Sequence, residues 1–285
     1  MRKGFTLIEM IFVIVIFGIM SKFGAELLYK IYESYIYSNT LNRLQNQTEL
    51  TVKQIANRLQ YRIKDSTIAR KSISTVADYK AIGSVDETYG ATAIEWIGVD
   101  INGWRGDKTS TAPLWSGFID LAASLDTNLS SPGTRANLKN YGLFFIGSEV
   151  DLESSSFGWD GTNLKSKPAN ITNIKVVETS KNAIARANKA KNFKNSDVFE
   201  YYQLAETAYA VSLDKGTRKL YLYSGYKPWL GQKATKNGKK SLLMENVSSF
   251  KFTSMGDILV IQVCASDDNV TGLGEYAICK EKAVF

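Results

Sequence analysis

Residues 5–20 are apolar except for Thr6, Glu9 and Gly18, and this run constrains the chain more than any other feature. Its length, about 16 residues, is close to the ~20 that a helix needs to cross a bilayer core. In lipid such a segment must be helical, because each backbone polar group has to find its partner inside the segment. The helical pattern does not stop at the end of the run. Proline and glycine are both missing from residues 25–82. Leu41, Leu44, Thr48, Val52, Ile55, Leu59 and Ile63 recur three or four residues apart, which marks one face of a 3.6-residue period. Asn42, Asn46, Glu49, Lys53, Asn57 and Lys64 occupy the opposite positions. The spacing predicts one helix from Thr6 to about Lys64, roughly 90 Å long at 1.5 Å per residue. Its first half belongs in an apolar medium, and its second half lays an apolar stripe on a globular sheet. That stripe covers only about three heptads, which is short for a coiled coil.

Glu9 is the anomaly in the apolar run. A charged side chain at the centre of a bilayer costs roughly 2.5–3.5 kcal/mol on insertion scales. An ordinary secretory signal has a basic start, an apolar stretch and a small-residue cleavage site. Here Arg2-Lys3 provide the basic start, but Phe23-Gly24-Ala25 is a poor cleavage site and the acid is out of place. A plain anchor accounts for the length, and Arg2 and Lys3 bias the N-terminus towards the cytoplasm, but it gives Glu9 no role.

The basic leader, the Gly4-Phe5 junction, Thr6-Leu7-Ile8-Glu9 and the apolar run resemble the class III signal of type IV prepilins and pseudopilins. The likeness covers about residues 1–24. It implies that a prepilin peptidase cuts after Gly4 and that Phe5 becomes N-methylphenylalanine. It also implies that Glu9 meets the N-terminal amine of a neighbouring subunit during assembly. Physics agrees with that role, since a paired carboxylate in lipid costs far less than a lone one. Gly18 falls where the family usually has a glycine, and small residues let helices approach closely. Many major pilins have a kinking proline after the apolar run, whereas this chain has none before Pro113. The resemblance is therefore to a large minor pilin or a J-type minor pseudopilin.

The expected fold is α+β, with the long N-terminal helix packed on an antiparallel β-sheet head. The expected divisions are a leader over 1–4, a transmembrane or fibre-core helix over 5–24, the amphipathic half of the helix over 25–66 and a β-rich periplasmic head over 67–285. Residues 67–138 read as looser, with turn signals at Gly83, Gly103, Gly106 and Pro132-Gly133. Strand-like runs cover 93–99 and 141–146, then 207–213, 219–223, 250–253, 258–264 and 276–279. Residues 258–263 are apolar on both faces except Gln262, as in a central strand. The C-terminal runs suggest a meander covering the helix. The stretch from Leu242 to Ile261 also looks like the end of certain large minor pilins and J-type pseudopilins.

Cys264 and Cys279 are the two cysteines, each at or near the end of a predicted strand, with Gly272 and Gly274 between them. An even count in an exported chain favours a disulfide across a hairpin. Two buried free thiols are the alternative. A C-terminal disulfide loop is also common among pilins. The net charge is +7, and lysines cluster over 181–194 and 227–240. The second cluster mixes Tyr226 and Trp229 with Lys233, Lys236, Lys239 and Lys240, as sites that contact nucleic acid do. Both clusters also read as solvated loops.

The chain has no histidine, which excludes Ser-His-Asp, Cys-His and His-metal chemistry. Gly238-Lys239-Lys240-Ser241 fails the spacing of a phosphate-binding loop. Asp267-Asp268-Asn269 could hold calcium, as loops in some pseudopilins do, but the full calcium-loop pattern is missing. No cofactor or enzymatic activity is expected. The expected partners are other pilins or pseudopilins through the N-terminal helix, the prepilin peptidase and inner-membrane lipid. The expected work is fibre assembly, initiation or capping in a type IV pilus or type II secretion pseudopilus. A fibre-tip receptor for DNA or a surface ligand is the alternative. The expected location is the inner membrane, crossed once with the N-terminus in the cytoplasm, and then the assembled fibre.

Overall fold

The helix α1 (Leu7–Leu59) runs for 53 residues, about 80 Å at 1.5 Å per residue. It belongs to a computed structural model that describes residues 4, 6–106, 112–150, 156–266 and 277–285 (of Glu87, the backbone only). The predicted stripe is the packing face. Leu44, Thr48, Val52, Ile55 and Leu59 are buried, while Asn42, Asn46, Lys53 and Asn57 are exposed. The helix ends earlier than the periodicity suggests. Beyond Leu59 the backbone is taken over by the sheet: Ile63 N–H donates to the Ile97 carbonyl at 2.9 Å, and Val99 N–H donates to Tyr61 at 2.8 Å. The Arg62 guanidinium closes the helix end by donating to the carbonyls of Leu59 at 2.9 Å and Asp257 at 3.0 Å. Ile63 stays in the core at 1% exposure, but as extended chain.

Two antiparallel sheets form the head. Among the described residues, the larger sheet contains β1 (Ile68–Arg70), β2 (Tyr79–Ala81), β3 (Ala93–Val99), β4 (Asp120–Leu125), β5 (Asn128–Ser130), β6 (Lys139–Phe145), β7 (Ile174–Ser180), β8 (Ala183–Arg186), β9 (Tyr202–Asp214), β10 (Lys219–Tyr226) and β11 (Lys239–Met244). Its order is β2-β1-β3-β9-β6-β7-β8-β5-β4, with β10 and β11 branching from β9. β9 makes the fork possible. Ala205 pairs with Val99 of β3 on one edge and Gly142 of β6 on the other, while residues from Ala208 onward pair with β10. The expected meander is therefore split between two sheets, because β9 and β10 belong to the large one. The view of 67–138 as loose is corrected too, since β1 to β5 lie there.

Successive strands pair within the large sheet, as β9-β10-β11 do, and the C-terminal strands form a separate meander. β12 (Val247–Met255), β13 (Ile258–Ala265) and β14 (Ile278–Val284) form a three-stranded sheet in chain order. β13 is the central strand, and Leu259, Ile261 and Val263 point into the core. Its alternate residues, Ile258, Val260 and Gln262, are half-buried, so this strand is apolar on a face that is only partly covered. The core under the meander joins Leu44, Val52, Ile55 and Leu59 of α1 to Leu259, Ile261, Val263 and Val284, and to Val211 and Leu222 of the large sheet. The last turns of α1 are therefore held by both sheets.

Cys264 and Cys279 face each other in the β13–β14 register and are joined as a disulfide, with 4.0 Å between their Cα atoms. The calcium expectation at Asp267, Asp268 and Asn269 lies outside the described residues, as do Gly272 and Gly274. The bond closes a 15-residue separation, worth about 3 kcal/mol in the chain-entropy model. Reduction, or Cys279→Ala, is expected to lower unfolding stability by about that amount. Urea titrations with and without dithiothreitol check it, and equal midpoints would refute it.

Candidate functional site

The free end of α1 is where the sequence places function. Thr6 has an extended backbone and sits at the N-cap. Its N–H and its hydroxyl both donate to Glu9 Oε2 at 2.9 Å, and Glu9 N–H donates back to Thr6 Oγ1 at 3.4 Å. This is a capping box, in which two otherwise unpaired donors at the helix start are satisfied reciprocally. The carboxylate also lies at the positive end of the helix dipole. Glu9 therefore has local partners within its own chain before any neighbour arrives. The Thr-x-x-Glu spacing is a capping signature legible in the sequence, and it gives the acid a local partner besides the neighbouring amine.

The rest of the free segment is apolar and uncovered. Its most apolar 18 residues have a mean hydropathy of 2.1, and none is buried against the head. Exposed large side chains continue past the membrane-length run through Phe23, Leu27, Ile31, Tyr32, Tyr35 and Ile36. Glu26 and Lys30 pair at 3.2 Å within this stretch. An apolar surface this long far exceeds the patches that monomers expose to water. It needs lipid, other helices or both. Gly18 has nothing within 4 Å, so a neighbouring helix can approach there. Gly4 is exposed ahead of the cap, and Phe5 lies outside the described residues.

The basic aromatic segment does not form a stacking platform. Trp229 is fully buried at 0% exposure, and its indole N–H donates to the Asn140 carbonyl at 3.1 Å. Tyr226 is also buried. This corrects the expectation that Trp229 presents a ring to a base. Lys233, Lys236, Lys239 and Lys240 are exposed. Lys239 and Lys240 belong to β11, which among the described residues pairs with β10 and no other strand, so that it forms a sheet edge. Lysines on such an edge discourage pairing with another chain. Lys240 Nζ also lies 3.8 Å from the centre of the Tyr221 ring. The cluster at 181–194 is likewise more than a solvated loop, because Ala183–Arg186 is a strand and Arg186 is buried.

The head contains a buried polar knot with no local sequence signal. Arg70 Nε donates to Glu95 Oε1, and both residues are 3% exposed. Tyr226 donates its hydroxyl to Glu95 Oε2 at 2.6 Å. The remaining Arg70 donors reach the carbonyls of Val76 at 2.6 Å and Trp159 at 2.7 Å. Burial first, and then the Glu95 carboxylate, push the Tyr226 phenol well above its ordinary pKa. The knot ties the 71–78 loop and the segment around Trp159 to β3 and β10. Among the described residues, no three His, Cys, Asp or Glu side chains gather as a metal site would require.

The sequence model of the prokaryotic N-terminal methylation motif matches residues 1–21. No curated protein and no solved structure matches the chain. The motif and the long apolar helix on an antiparallel head support a type IV pilin-like protein. They fit a single span in the inner membrane. Proteins with this motif are structural subunits, which a prepilin peptidase processes and which assemble with other pilin subunits.

Proposed function

We propose that this chain is a minor subunit of a type IV pilus or a type II secretion pseudopilus, acting in fibre assembly as a primer or cap. The observation that carries this reading is the division of α1. Residues from Leu44 to Leu59 seat the head, while the apolar length before them is bare and ends in the Thr6–Glu9 cap. A helix built this way is a plug for a bundle of like helices. Cutting after Gly4 places a new amine at Phe5, one residue before the cap. A neighbour's amine then gives Glu9 a charged partner in a medium where such pairing is strongly favoured. The two-sheet head is bulky for a densely repeated subunit, which favours a minor position. A periplasmic head suits the Cys264–Cys279 bond, because that compartment sustains disulfides.

Mass spectrometry of the protein from membranes and from sheared surface material tests this reading. The expected N-terminal peptide begins at methylated Phe5. Its presence in sheared fibres places the chain in a pilus, and its retention with the envelope fits a pseudopilus. An intact Met1, or a cut near Ala25, would overturn the assignment.

A further inference from the structure

We infer that Arg186 and Lys175 form a buried receptor for a small inorganic anion inside the head. Arg186 is 2% exposed and Lys175 is 5% exposed. Val177 pairs with Arg186 in the β7–β8 register, and Lys175 precedes Val177 by two residues. Both cations therefore project from the same sheet face. Phe145, Val177, Ile184 and Phe193 lie in the core on that face, and its Thr179 hydroxyl is already bonded to Ala136 and Leu138.

The two side chains have more donors than partners. Arg186 Nη2 donates to the Lys167 carbonyl at 2.9 Å, while Nε and Nη1 find no acceptor. Lys175 Nζ reaches the Asn173 carbonyl at 3.3 Å and lies 5.3 Å from the centre of the Phe145 ring. No carboxylate among the described residues forms an ion pair with either cation. Asp197 is the acid that attracts Lys175, and it is exposed.

Such an arrangement is costly as it stands. A buried ion without a counter-charge costs several kcal/mol, and unpaired buried donors add to that. The surroundings bear this out. Burial, and then Arg186, pull the Lys175 ammonium down to about 8, and burial alone pulls Arg186 down to about 10. Water would supply acceptors but no charge. A single small anion supplies both to the two groups at once. Arg70 shows the contrast within the same head: it is equally buried, but it has Glu95 as its partner.

Bromide is the probe, used on the detergent-solubilised full chain with gluconate, which is too large to be enclosed, as the balancing anion. At constant ionic strength, bromide at about a hundred times its dissociation constant is expected to raise the unfolding midpoint by about 5 °C. Arg186→Met and Lys175→Met should lose that rise, while Lys194→Met, an exposed control, should keep it. In gluconate, stability should climb from about pH 8 to pH 10. The unfolded chain holds the Lys175 proton through that window while the folded chain releases it. Bromide should flatten the climb by holding the ammonium charged between Arg186 and Asp197. An anomalous bromide peak between Lys175 Nζ and Arg186 needs no variant and covers the case in which the substitutions do not fold. Water alone at that position, or a bromide effect that survives in Arg186→Met, would overturn the inference.

Discussion

Glu95→Ala is expected to destabilise the head by about 3–5 kcal/mol, a large share of what holds such a domain together. The loss does not come from the contact alone. Removing the carboxylate leaves the Arg70 guanidinium 3% exposed without its counter-charge, and leaves the fully buried Tyr226 hydroxyl without its acceptor. Arg70 also holds Val76 and Trp159 through their carbonyls, so its displacement loosens two segments. Glu95→Gln keeps an acceptor without the charge and should cost less. The double variant Arg70→Met/Glu95→Leu should cost less than the sum of its single substitutions, because the desolvation penalty leaves with the pair. Denaturant unfolding of the parent, Arg70→Met, Glu95→Leu and the double variant completes the cycle. Additive losses would show that the two side chains do not act as a unit.

Glu9→Ala is expected to insert into the membrane as well as the parent or better, because it removes a charge that costs roughly 2.5–3.5 kcal/mol at the bilayer centre. Its entry into fibres should fall by about tenfold or more, since losing even 1.4 kcal/mol of pairing energy is a factor of ten. Thr6→Ala separates the two partnerships of the acid. It removes the local hydroxyl but leaves the carboxylate free for a neighbour. It should weaken the cap by about 1 kcal/mol while still assembling. Quantitative immunoblots of membrane and sheared fractions measure both variants. Normal fibre entry by Glu9→Ala would remove the assembly role proposed for that residue.

The parts of this architecture that were legible in the sequence are those written in short-range pattern. The 3.6-residue stripe from Leu44 to Leu59 identified the buried face of α1, because packing and periodicity agree there. The stop at Leu59 was not legible, because it depends on Ile63 bonding to Ile97, 34 positions along the chain. β8 was missed because it is only four residues long and lies in a lysine-rich stretch. β11 opens with Lys239-Lys240, which reads as a loop until its edge position is known. The candidate site divided in the same way. Thr6 and Glu9 are three residues apart and carry a recognisable capping signature. Glu95 and Tyr226 are 131 residues apart, and no local pattern joins them. Trp229 looked like a surface aromatic because it lies in a lysine-rich stretch, but its indole N–H has a backbone partner at Asn140 that only the fold supplies.

The seating of α1 also decides how the head bears force. Anything that pulls on the free end of the helix can reach the head only through its last turns, from Leu44 to Leu59. Those turns press on Leu259, Ile261 and Val263 of β13 and on Val284 of β14. Among the strands that share the load with the large sheet are the two that Cys264 and Cys279 join. Hydrogen bonds between neighbouring strands can open in sequence under tension, but a covalent rung cannot. A fibre that extends and retracts would tug on this joint repeatedly, and the bond lies within the strand pair that would otherwise peel.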